Sequence, residues 1–90
     1  MESQQNPSAE LLIAQKTFTS IVEILTTLQR AGKFKPEETE QLTILIHEGH
    51  RYLSTWVIAL ENGEDAPNMM NLMNRIILKL LRFQLEKGGI

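Results

Sequence analysis

A chain of 90 residues with 42% hydrophobic and 22% charged side chains has the composition of one small folded domain, which excludes a globally disordered polymer. The net charge of −2 and isoelectric point near 5.6 argue against a dedicated nucleic-acid binder, whose phosphate contacts need a concentrated basic face. Without cysteine there is neither a disulfide framework nor a thiolate metal site, so a core this small must draw extra stability from regular helix packing or oligomerisation.

Residues 1–7 read as a disordered polar segment. Met1-Glu-Ser-Gln-Gln-Asn-Pro-Ser has no basic start and no apolar stretch, so a secretory signal is not expected here, and Pro7 removes Asn6-Pro7-Ser8 as a glycosylation site. The expected location is cytoplasmic. Residues 8–90 are expected to form a single helical domain, because no alternating strand pattern, internal repeat or low-complexity tract interrupts them.

The first helix is expected over about 8–31, with Asn6 or Ser8 as its N-cap. Leu11, Ala14, Phe18, Ile21, Leu25 and Leu28 recur at alternating spacings of three and four, with Val22 beside them, which makes one continuous apolar seam. Gly32 is placed to stop this helix, and Arg30 and Lys33 favour the negative end of its dipole.

A short connector leads to Pro36-Glu37-Glu38, a start signal for a second helix over about 36–62. So short a link makes the first two helices antiparallel neighbours. Leu42, Leu45, Ile46, Tyr52, Leu53, Trp56, Val57 and Leu60 share one face, and Gly63 can cap the end. Gly49 lies at the centre of that face. A glycine within a helix costs about 1 kcal/mol against alanine, so its position predicts a close approach by a neighbouring backbone or by Phe18, Phe83 or Trp56.

The loop through Glu64, with Asp65 or Ala66 as cap and Pro67 in the first turn, opens a third helix over about 66–87. Its stretch from Asn68 to Leu85 is expected to be the most apolar of the chain and the helix around which the others pack. Met69, Leu72, Met73, Ile76, Ile77, Leu80, Leu81 and Phe83 cover about half the circumference, more than one neighbour needs. Arg75, Lys79 and Arg82 interrupt it on a single face, which argues against a membrane span. The expected fold is all-α: an elongated three-helix antiparallel bundle, associating as a dimer.

Motifs for chemistry are scarce. His47-Glu48-Gly49-His50 resembles a zinc-protease helix only superficially, since that motif needs histidines at i and i+4 and these stand at i and i+3. A metal or pH-sensing role for His47 and His50, completed by Glu61 or a partner chain, is the weaker alternative to plain surface histidines. Glu37, Glu38, Glu40, Glu64 and Asp65 sit at helix starts or in a loop, where capping and solubility account for them. There is no Gly-x-Ser-x-Gly turn and no glycine-rich phosphate loop. Neither catalytic residues nor a cofactor or metal site is therefore assigned.

What remains are surfaces. Ile44, Arg51 and Ile58 form a seven-residue stripe on the polar side of the second helix, and Leu78 and Leu85 stand on the polar half of the third. These are the candidate interface residues, fitting self-association with two-fold symmetry. The row Arg75, Lys79 and Arg82 is the candidate basic surface. The expected function is a non-enzymatic helical protein–protein interaction module (an adaptor, regulator or chaperone-like protein) that forms a homodimer and binds another protein; the alternative is a small regulatory nucleic-acid-binding protein using the basic row.

Overall fold

The computed structural model describes residues 7–64 and 67–88. They form three helices, α1 (Pro7–Arg30), α2 (Pro36–Glu61) and α3 (Pro67–Gly88), which pack against one another. Each begins on a proline, whose fixed φ and missing N–H suit the first helical position. The caps expected at Asn6, Asp65 and Ala66 lie outside the described residues.

Two of the ends are closed in the same way. Gly32 (φ 79°) and Gly63 (φ 78°) adopt the left-handed conformation. The Gly32 N–H donates to the Gln29 carbonyl at 3.0 Å and the Lys33 N–H to the Leu28 carbonyl at 3.1 Å; Gly63 and Glu64 repeat the pattern on Leu60 and Ala59. These are paired Schellman bonds, which satisfy carbonyls left over at a helix end. At the start of α2 the Lys35 N–H donates to Glu38 Oε1 at 2.9 Å, and the other Glu38 oxygen accepts from Lys87 Nζ at 2.7 Å. One carboxylate thus caps α2 and fastens the last turn of α3 beside it.

That ion pair, with the short α1–α2 link, fixes the topology as up-down-up. Consecutive helices are antiparallel, and α1 and α3 run parallel with the most extensive mutual contact. The body measures 48 × 23 × 16 Å, an elongated bundle.

The core is Ala14, Phe18, Ile21 and Leu25 from α1, Leu42 and Trp56 from α2, and Met73, Ile76, Ile77 and Leu80 from α3. Burying a large apolar side chain stabilises by about 1.5–3 kcal/mol relative to exposure. Gly49 is buried among these residues, and a Cβ added there would collide with Phe18 Cε1 and Cζ and lie 3.2 Å from Cδ1. The predicted close approach is therefore real, and the Phe18 ring makes it. Phe18 also meets His50 edge-to-face, with ring centroids 5.2 Å apart.

One core expectation shifts, and one residue joins the core that the seams did not include. Val57 is 39% exposed, and Phe34 in the connector is half-buried against Phe83, with centroids 5.8 Å apart. Among the described residues, the helix long and apolar enough by length and composition to cross a membrane is Ala9–Arg30 of α1, at mean hydropathy 1.3, so α1 and not α3 is the more apolar helix. Of that apolar window 22% is buried in the bundle, including Phe18, Ile21 and Leu25, while Leu12, Ile13 and Ile24 are exposed.

Candidate functional surfaces

A helical side chain's direction follows from its position at 100° per residue, so the described contacts orient all three helices. On α2, Glu38, Gln41, Ile44, Leu45 and Glu48 line an open groove of about 510 Å³, and α3 closes it with Lys79, Arg82, Phe83 and Glu86. Leu45 and Phe83 are half-buried beside it, and charges of both signs surround them. Lys87, next to Glu86, is held to Glu38 at one end. The Lys87 ammonium bonded to Glu38, and then the Lys35 N–H, hold that carboxyl below the usual glutamate range.

The candidate basic row is divided by this arrangement. Lys79 and Arg82 line the groove together with Glu38, Glu48 and Glu86, while Arg75 is exposed nearer the other end of α3. Three carboxylates against two cations make this groove a mixed surface, not a basic one.

The candidate interface residues are likewise distributed. Ile44, at 58% exposure, belongs both to the groove and to an adjoining hollow with Thr43, His47, Glu48 and Arg51. Arg51 lies exposed with its guanidinium carbon 5.6 Å from the centroid of the Tyr52 ring. Ile58 is exposed two heptads along α2 from Ile44, about 21 Å away at 1.5 Å per residue. Leu78 and Leu85 are exposed on α3 but lie about 100° around the helix from its groove-lining side chains, on the flank next to α1.

Sequence patterning did not single out what stands beside them. Phe18 faces α2, and Ile13 and Ile24 point 120–140° away from it on the wheel, toward the flank of α1 next to α3. Both are exposed. The signal was present as apolar residues outside the α1 seam, but their partner helix could not be read from one wheel.

Among the described residues, no three of His, Asp or Glu gather as metal ligands. His47 is exposed on the hollow, and His50 is engaged with Phe18. The Thr27 and Thr43 hydroxyls donate to carbonyls one turn earlier in their own helices, at 3.0 and 2.9 Å. No protein family, curated protein or solved structure matches this chain.

Proposed function

We propose that this protein is a non-enzymatic, cytoplasmic protein–protein interaction module, homodimeric, which holds a helix of another protein along the groove between α2 and α3. The supporting observation is the groove itself: an open channel with Leu45 and Phe83 at its base, Ile44 on its edge and Glu38, Glu48, Lys79, Arg82 and Glu86 around it. A helix-in-groove partner presents apolar side chains at i, i+3 and i+4 and charges on either side of them. Mixed rim charges would fix its register and direction more than its affinity. The groove is open rather than enclosed, which suits a helix better than a small substrate that must be surrounded.

A photo-crosslinking residue at Gln41 would test this in cells. Position 41 lines the groove, whereas Ser54 is exposed elsewhere on α2 and serves as the control. The expected result is discrete adducts to a second protein from position 41 and not from position 54. Adducts from both positions alike, or none from position 41, would overturn the groove assignment. The nucleic-acid alternative predicts strong, salt-sensitive retention on heparin; the carboxylates facing Lys79 and Arg82 favour weak retention.

A further inference from the structure

We infer that the flank formed by α1 and α3 is the surface on which a second copy of this chain docks, an inference that rests on the homodimeric part of the proposed function. Four of the large apolar side chains exposed on the described residues converge there: Ile13 (64%) and Ile24 (42%) from α1, Leu78 (60%) and Leu85 (67%) from α3. Half-buried Leu81 lies between the two on α3.

The two rows match in register. Phe18 is level with Gly49, and Glu38 is level with Lys87. Six residues up from Phe18, Ile24 therefore falls level with position 43 of α2 and position 82 of α3, between Leu81 and Leu85. The outward-pointing positions on α1 are 13, 17, 20 and 24; those on α3 are 74, 78, 81 and 85. Both follow the same four-three-four spacing, and because α1 and α3 are parallel they form two adjacent seams of the kind that pack knobs into holes.

The chemistry of the flank selects a copy of itself as the occupant. A two-fold interface sets each patch against its own duplicate, so a patch of one charge sign repels itself. Here the intervening positions are Thr17, Ser20 and Asn74, and no charged residue occupies either seam. By contrast, Arg51 stands in the middle of the Ile44–Ile58 stripe and would meet a symmetric arginine if that stripe paired about its centre. The area is also sufficient. From Leu85 to Ile13 the two seams cover a strip about 28 Å long including side chains and about 20 Å wide, so pairing buries roughly 1,100 Å² over both copies, above the floor of about 1,000 Å² for a biological interface and in the range of a weak, concentration-dependent dimer.

Sedimentation velocity of the full chain, from micromolar to submillimolar concentration, tests the assignment. The wild type should show a concentration-dependent dimer. Leu78→Glu and Leu85→Glu should each weaken it at least about tenfold, because symmetry introduces every carboxylate twice. Ile58→Glu is the matched control, since Ile58 is 57% exposed but lies on α2, and it should leave the dimer intact. Circular dichroism should show unchanged helix content in all three variants, as these positions are exposed. A wild-type dimer that survives both leucine substitutions, or that Ile58→Glu dissociates, overturns the flank while leaving a homodimer. A wild type that stays monomeric throughout overturns both.

Discussion

Replacing Gly49 with alanine sets two effects of opposite sign against each other. Glycine in a helix interior costs about 1 kcal/mol relative to alanine, so propensity alone would stabilise α2 by that amount. The new methyl, however, would overlap Phe18 Cε1 and Cζ. Phe18 is 1% exposed, one face of its environment is the His50 ring, and the rest is close-packed core. A rigid ring so enclosed cannot move aside as a flexible side chain could. Overpacking typically costs 1–3 kcal/mol, and a clash involving two ring carbons belongs in the upper half of that range. The net expectation is destabilisation by about 1–2 kcal/mol, or a melting temperature lower by roughly 5–15 °C for a domain of this size. Thermal denaturation followed by circular dichroism measures it directly. Phe18→Leu should remove the clash, so the double variant should be more stable than the sum of the two single losses by at least about 1 kcal/mol. A melting temperature that rises in Gly49→Ala, or single effects that simply add, would refute the close approach.

Other consequences follow from the helix ends. Glu38 is held below the ordinary glutamate pKa by Lys87 and the Lys35 N–H, so its contribution to stability is present above the unfolded value near 4.3 and is lost as pH falls through the lower folded value. Glu38→Gln, which keeps an oxygen for the Lys35 amide, should melt a few degrees lower at pH 6, with the gap closing toward pH 3; a gap unchanged at pH 3 would remove the charge from the explanation. Gly63→Ala forces a Cβ into a left-handed position with open space around it, so its cost is backbone strain alone, about 1–2 kcal/mol by chemical denaturation. Phe34→Ala removes a half-buried ring from Phe83 and should cost about 1–2 kcal/mol; no change would mean that the connector does not contribute to closing this end of the bundle.

Helix limits were legible because the chain punctuates itself. Pro36 and Pro67 mark two starts, and Gly32 and Gly63 mark two ends, so the expected spans fall within a residue or two of those observed. The core was legible for the same local reason, since Phe18, Leu25, Leu42, Met73 and Leu80 sit at the centres of their apolar faces. The arrangement of the three helices around the bundle axis was not. A wheel gives the inward direction of each helix but is equally consistent with either handedness of the bundle. The mirror arrangement would turn Ile13 and Ile24 toward α2 and leave Leu78 and Leu85 without apolar neighbours on α1. Only the contacts of Phe18 with Gly49 and His50, and the residues shared across the α2–α3 groove, select one arrangement. For the same reason Ile44, Arg51 and Ile58 could be grouped with Leu78 and Leu85 from the sequence, although the structure puts them on separate flanks.

The breadth of apolar surface on α3 has an explanation in that arrangement. One sector carries Met73, Ile76, Ile77 and Leu80 into the core; a second carries Lys79, Arg82, Phe83 and Glu86 into the groove with α2; a third carries Leu78, Leu81 and Leu85 toward the flank beside α1. A helix with one buried face would keep its charges opposite the core. Here Lys79 is turned toward α2 while Arg82 stands opposite the core, and the positions beside α1 (74, 78, 81 and 85) carry no charge. The charged groove can discriminate between partners by sign and register, whereas the uncharged flank tolerates its own duplicate. The two surfaces lie about 100° apart around α3, one on the face it shares with α1 and the other on the face it shares with α2. Dimerisation through the α1–α3 flank would therefore present two α2–α3 grooves facing outward, and a partner carrying two helices could engage both at higher effective concentration than either alone.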